Sequence, residues 1–112
     1  MSVENTEVVD AIGVQKGTGS VALTISDHLD WRDLHGHLRT LQDKLNRYLA
    51  FIESGELLES YPDAKGRAVR IDVYFQHEPS REAGEFLAKA ATKIRQAGMS
   101  FEWRVLNGPS DR

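Results

Sequence analysis

The stretch VRIDVYFQ at residues 69–76 decides the fold of this 112-residue chain. Apolar side chains alternate with polar ones along it, and most of the apolar ones are β-branched or aromatic. Successive residues of a strand point to opposite faces of a sheet, so this alternation predicts a strand with one buried face. We therefore expect a sheet that helices cover on one face and that leaves a polar, solvated second face.

Downstream of this strand, the sequence predicts one helix and one further strand. Ser80 follows Pro79 and is a good N-cap, and Gly98 is a natural stop. Residues 101–105 alternate again and predict the last strand. The apolar stripe of the helix comprises Phe86, Leu87, Ala90, Ile94 and Ala97.

Upstream, the sequence predicts a hairpin and a long helix. Residues 8–15 and 20–26 are rich in strand-forming residues and are separated by a short glycine-containing link. The helix is expected to begin after Asp30 as N-cap and to stop at Gly55, and residues 56–67 are expected to form a surface loop. The apolar stripe of this long helix comprises Leu34, Leu38, Leu41, Leu45, Leu49 and Ile52.

The predicted element order is β-β-α-β-α-β, which places the chain in the α/β class as a two-layer α+β fold. Right-handed crossovers with both helices on the same face give a four-stranded mixed sheet of order 1-2-3-4. The first strand is antiparallel at one edge. We expect a single domain over residues 1–112, with an ordered core at about 8–106 between polar tails.

Composition narrows the function classes. The chain has 14 Lys and Arg against 17 Asp and Glu, a net charge of −3 and no cysteine. This charge lacks the basic field that nucleic acids and anionic membranes attract, so we expect neither as a partner. Without cysteine there is no disulfide, no thiolate zinc site and no thiol nucleophile, and the N-terminus lacks the pattern of a signal peptide. We expect a cytoplasmic protein.

Three strings of the sequence carry a family resemblance. They are SDHLDW at residues 26–31, FIESGE at residues 51–56 and ESYPDAKGR at residues 59–67. The chain resembles, over about residues 3–98, a family of small bacterial proteins classed as a domain of unknown function. The resemblance implies a bacterial, cytoplasmic protein, and it carries over no activity, cofactor or catalytic residue.

One candidate ligand or metal cluster follows from the predicted topology. Asp27 and His28 end the second strand, and His77 and Glu78 end the third. Ligands in open α/β sheets bind outside the carboxyl ends of parallel strands, so this topology can bring the four side chains together as a mononuclear metal site or an acid–base cluster. The interpretation that we favour is that Asp27 and His28 cap or pack the helix start, whereas His77 and Glu78 are solvated turn residues. His35 and His37, two residues apart on the helix, are interpreted as surface residues.

The open sheet face and the loop at residues 56–67 are candidate partner surfaces. We expect a non-enzymatic protein-interaction module, of the immunity or accessory type, that uses no cofactor and binds another protein or itself as a homodimer. The alternative is a small metal-dependent or acid–base enzyme that uses His28 and His77 with the neighbouring carboxylates. The candidate partner surface comprises Tyr61, Lys65 and Arg67 in the loop and Arg70, Tyr74 and Arg104 on the sheet.

Overall fold

The computed structural model describes residues 11–106, which form a four-stranded sheet and three helices. The strands are β1 (Ala11–Val14), β2 (Val21–Asp27), β3 (Val69–Phe75) and β4 (Ser100–Val105). The helices are α1 (Leu34–Glu53), the short α2 (Glu56–Ser60) and α3 (Arg81–Gln96), with a 3-10 turn at Pro62–Ala64.

The sheet has the predicted order β1-β2-β3-β4. Strand β1 pairs antiparallel with β2, whereas β2, β3 and β4 are parallel, with Val21 opposite Val69 and Val73 opposite Trp103. The predicted mixed α+β fold is therefore confirmed. The first predicted strand, at residues 8–15, is shorter than expected in its described part, and residues 8–10 lie outside the described residues.

Helices α1 and α3 cover one face of the sheet. Most apolar side chains of β2 and β3 on that face are fully buried, among them Leu23, Ile71 and Val73. The period of each helix directs most of its predicted apolar stripe at this layer. Ala97 is an exception, because it lies just beyond the end of α3 and is exposed. Ser80 caps α3 as expected, because its hydroxyl accepts a hydrogen bond from the Ala83 N–H at 3.2 Å.

The start of α1 differs from the prediction. Asp33, rather than Asp30, is its N-cap, and its carboxylate accepts a hydrogen bond from the Gly36 N–H at 3.1 Å. Asp30 instead accepts from the backbone N–H and the Nε–H of Arg32. Both aspartates satisfy the local rule for an N-cap, and tertiary contacts decide between them.

The loop predicted at residues 56–67 contains structure of its own. Gly55 ends α1 in the left-handed conformation, with a φ of 93°, and the five residues of α2 follow directly. Leu57 is buried in the core, and Tyr61 is partly buried against the core. Leu58 is exposed. A five-residue helix is too short to show a period, so the pattern of apolar residues did not predict it.

Two charged residues are buried, and the first of them departs from the expectation of a solvated polar face. Asp72 lies on the open face of β3, where it is buried beneath its ion pair with Arg70. Lys44 is fully buried on α1, with its ammonium 5.7 Å from the centre of the Tyr48 ring. Between residues 11 and 106, no helix is both long and apolar enough to cross a membrane.

Candidate functional site

The carboxyl ends of β2 and β3 meet at one end of the sheet, as the topology predicted. Asp27 lies opposite Phe75 in the parallel register, and the chain leaves each strand within two residues of that pair. The indole N–H of Trp31 donates a hydrogen bond to the His77 carbonyl at 3.0 Å, which holds the two connections together. This end of the sheet therefore brings residues 27–31 next to residue 77.

The chemistry-bearing residues that pack here are Asp27 and His37. The His37 Nε2 lies 2.6 Å from the Asp27 Oδ2, and its Nδ1 lies 2.9 Å from the Asp30 carbonyl oxygen. A carbonyl oxygen only accepts, so Nδ1 carries a hydrogen. The short Nε2–Oδ2 contact therefore holds a second proton, either on the ring or on the carboxyl group.

This Asp27–His37 pair is closed to solvent. The side chains of His37 and Asp27 are 2% and 0% exposed, and the Trp31 ring stacks on the imidazole at 3.7 Å between centroids. Both ring nitrogens are engaged by protein atoms, so neither faces a position that a substrate can reach. The pair ties the start of α1 to the end of β2.

Burial raises the pKa of Asp27 above its usual 3.8. The hydrogen bond and positive charge of His37, and the 3.0 Å hydrogen bond from the Leu29 N–H to Oδ1, act in the opposite direction. For Asp30, the hydrogen bond from the Arg32 N–H lowers the pKa. Two carboxyl groups at the same helix start are thus shifted in opposite directions by their surroundings.

The interpretation of His37 as a surface residue was wrong, whereas His35 is exposed. A pattern in the sequence could have revealed the burial of His37. The spacing of His37, Leu41, Lys44, Tyr48 and Phe51 alternates four and three, which forms a second stripe beside the predicted one. All five are buried.

The other three residues of the predicted cluster lie on the surface. His28, His77 and Glu78 are exposed, and His28 lines a cleft with Asp30 and Thr40 on the outside of the Asp27–His37 pair. Over residues 11–106, no group of three or more His, Asp or Glu side chains is placed to hold a metal ion. A ligand or acid–base role for His28 and His77 stays a prediction.

The predicted partner residues divide into two places. In the loop, Arg67 is held at its position, because its Nε–H donates to the Asp63 carbonyl at 2.8 Å and its Nη1–H to the Gly19 carbonyl at 3.0 Å. Tyr61 is half-buried and Lys65 is exposed. Arg70, Tyr74 and Arg104 lie together on the open face of β3 and β4.

A row of charges crosses the open face from β3 to β4. The Arg70 guanidinium donates to Asp72 at 3.0 Å and to Glu102 at 2.9 Å, and the hydrogen bond to Asp72 raises the pKa of Arg70. Arg104 is 69% exposed and lies 4.0 Å from the same Glu102 oxygen. Glu102 is therefore held from one side by Arg70, while Arg104 extends outward.

Strand β4 forms one edge of the described sheet. The Leu106 N–H donates to the Phe75 carbonyl at 2.8 Å and so points toward β3. Because the backbone groups of successive strand residues point to opposite sides, those of Phe101, Trp103 and Val105 point away from the sheet. Trp103 is 40% exposed at this edge, and Leu106 is 51% exposed just beyond it.

Comparison with known proteins identifies a family without an assigned activity. No curated protein and no solved structure matches the chain. The model of DUF6572, a family of unknown function, matches residues 1–107. The resemblance that the sequence strings indicated is thus confirmed, and the chain belongs to the DUF6572 family of unknown function.

Proposed function

We propose that this protein is an interaction module that binds an extended polypeptide segment along β4. The observation that carries the proposal is the open edge of β4, where an exposed tryptophan accompanies outward-pointing backbone groups. An extended segment that adds to such an edge forms main-chain hydrogen bonds, and its side chains meet those of the edge strand in alternation.

Native proteins shield edge strands by shortening them, by proline or by charge. In its described part the opposite edge, β1, contains Gly13, whereas β4 has six residues and neither glycine nor proline. Its two charged residues, Glu102 and Arg104, are of opposite sign and both on the open face. They favour a partner strand with the complementary order of charges and disfavour others.

The source, the cellular location and the class of this interaction module are also proposals. The family resemblance supports a bacterial protein, and the lack of cysteine is in keeping with a reducing compartment such as the cytoplasm. The small size and the excess of acidic residues support a protein of the immunity or accessory type. Separating the compartments of the native host and locating the protein by immunoblot would test the cytoplasmic assignment.

The binding proposal is tested with a synthetic peptide as the probe. The peptide SFEWRVL, blocked at both ends, has the sequence of residues 100–106 and can pair with β4. A control peptide carries N-methyl groups on the amides that would bond the edge. We expect the first peptide to slow amide hydrogen exchange at Phe101, Trp103 and Val105, and the control peptide to leave it unchanged. Equal exchange with both peptides at millimolar concentration would refute strand addition.

A matched pair of variants locates the binding surface. Leu58 is 48% exposed on α2, which makes it a control for Trp103. We expect Trp103→Ala to weaken peptide binding by about tenfold or more, as interface tryptophans do, and Leu58→Ala to leave it unchanged. Circular dichroism checks that both variants fold. Equal effects of the two substitutions would place the binding surface elsewhere.

A further inference from the structure

The charges on β4 indicate which strand fits it best, and this inference rests on the proposed function above. The outward residues of β4 are Phe101, Trp103 and Val105. In an antiparallel pair, residues that exchange both N–H···O bonds lie directly opposite each other. A second β4 strand satisfies this rule in several registers, because any outward residue can oppose any other.

The charged side chains distinguish these registers. If the pairing is centred on residue 102, Glu102 lies opposite Glu102 of the other copy, and if it is centred on residue 104, Arg104 lies opposite Arg104. Like charges directly opposite each other on a strand pair are destabilising. If the pairing is centred on Trp103, each Glu102 lies opposite an Arg104. The last register also places Phe101 opposite Val105, so its apolar pairs match.

The two charged residues are prepared for this contact. In the register centred on Trp103, Glu102 of one copy lies opposite Arg104 of the other at a non-hydrogen-bonded position. Opposing Cα atoms are only about 4.5 Å apart at such a position. One oxygen of Glu102 accepts from Arg70, and its second oxygen has no hydrogen-bond partner in the described residues. Arg104, 69% exposed, extends from the same face and can reach the second oxygen across a two-fold axis.

The helix side of the pairing is apolar. Trp103 lies on the covered face of the sheet, where its ring meets Phe75 edge-on at 5.8 Å between centroids. The α3 residues beside it are the short Ala88 and Ala91, which leave its outer side uncovered. In the register centred on residue 103, two such tryptophans become neighbours and cover each other, and aromatic pairs of this kind stabilise adjacent strands.

We propose that the partner of β4 is a second copy of this chain. Two β4 strands pair antiparallel around a two-fold axis at Trp103 and join the two sheets into one continuous eight-stranded sheet. Glu102 of each protomer pairs with Arg104 of the other on the open face, and the helices of both protomers lie on the same side.

Charge reversal tests this proposal. Glu102→Arg places two arginines opposite each other in the self-pair, and Arg104→Glu places two glutamates there. We expect each single variant to dimerise at least about tenfold more weakly than wild type in sedimentation velocity. An equimolar mixture of the two variants opposes every arginine with a glutamate, so we expect it to form a heterodimer. The double variant Glu102→Arg with Arg104→Glu is expected to recover self-association.

The mixture separates this interface from an effect on the fold of each chain. Glu102→Arg also breaks the ion pair with Arg70, but mixing with a second defective variant cannot repair that loss. Recovery in the mixture therefore requires contact between residues 102 and 104 of different chains. Wild type that remains monomeric at millimolar concentration, or single variants that dimerise as wild type does, would overturn the proposal.

The peptide experiment distinguishes failure of this proposal from failure of the proposed function. If the peptide protects the β4 amides while the intact protein remains monomeric, strand addition stands and the second copy is the wrong partner. If neither the peptide nor a second copy protects those amides, both proposals fail.

Discussion

At the scale of single residues, Asp27 combines two roles that make its titration informative. It accepts a hydrogen bond from the Leu29 N–H, and it shares a proton with His37 in a site closed to solvent. Because burial raises its pKa above 3.8, the folded protein keeps the proton to a higher pH than the unfolded chain does. The carboxyl group therefore contributes most to stability at low pH.

We expect wild type to lose stability relative to Asp27→Asn as the pH rises from 3.8 through the raised pKa. The asparagine oxygen can accept from the Leu29 N–H and its amide can donate to the His37 Nε2, so the variant keeps both contacts without a titrating carboxyl group. Urea unfolding of both proteins at a series of pH values measures the difference. A difference that grows in favour of wild type with rising pH would show that the attraction of His37 outweighs burial.

A second residue prediction concerns Tyr48. Its hydroxyl donates to the Thr24 carbonyl at 2.6 Å and joins α1 to β2 inside the core. We expect Tyr48→Phe to lower the free energy of unfolding by about 1 kcal/mol, because the carbonyl loses this partner. Tyr74→Phe, on the open face, is the matched control and is expected to change stability by less than about 0.5 kcal/mol. Equal losses in chemical denaturation would contradict this role of the hydrogen bond.

At the scale of elements, the N-cap Asp33 of α1 packs so closely against Gly36 that it leaves no room for a larger residue at position 36. A Cβ on Gly36 would overlap the Asp33 carboxylate, whereas a Cβ on Gly84 in α3 would meet nothing. We expect Gly84→Ala to stabilise the protein by about 1 kcal/mol. Gly36→Ala is expected to bring no gain, since displacing the cap costs about as much as the helix gains. Thermal and urea unfolding measure both.

A double variant at Asp33 and Gly36 provides the control for this prediction. In an Asp33→Ala background the cap is already absent, and Gly36→Ala should then stabilise by about 1 kcal/mol. If Gly36→Ala stabilised wild type as much as Gly84→Ala does, the close contact with Asp33 would be of no consequence for the helix.

The elements that the sequence predicted are those with enough residues to show a period. Strands β3 and β4 alternate, and α1 and α3 repeat their apolar residues at three and four, so their layers and order followed from pattern and crossover handedness. The position of Asp27 at a strand end followed too. Its partner His37 was missed, because the second stripe to which it belongs contains a histidine and a lysine and therefore does not stand out as apolar. The choice of Asp33 as cap was likewise made by tertiary contacts.

At the scale of the whole molecule, self-association through β4 makes stability depend on concentration. Binding that favours only the folded state raises the melting temperature as protein is added. For a domain of this size, we expect an increase on the order of 5 to 10 °C between a concentration near the dissociation constant and one a hundredfold higher. Glu102→Arg, which associates more weakly, should show a clearly smaller increase over the same range of concentration. A wild-type melting temperature that does not change would argue against the dimer.

The parallel pairing of β2 with β3 also has a kinetic consequence. Val21 pairs with Val69, and all of α1 and α2 lie between them in the chain. Contacts between residues so far apart close slowly, because the loop entropy must be lost before any pairing repays it. The β1–β2 hairpin and α1 are local and can form early, whereas β3 has to wait for synthesis to pass its whole crossover. The sheet is complete only when β4 docks, so a growing chain exposes the unpaired side of β3 until the last described strand has left the ribosome.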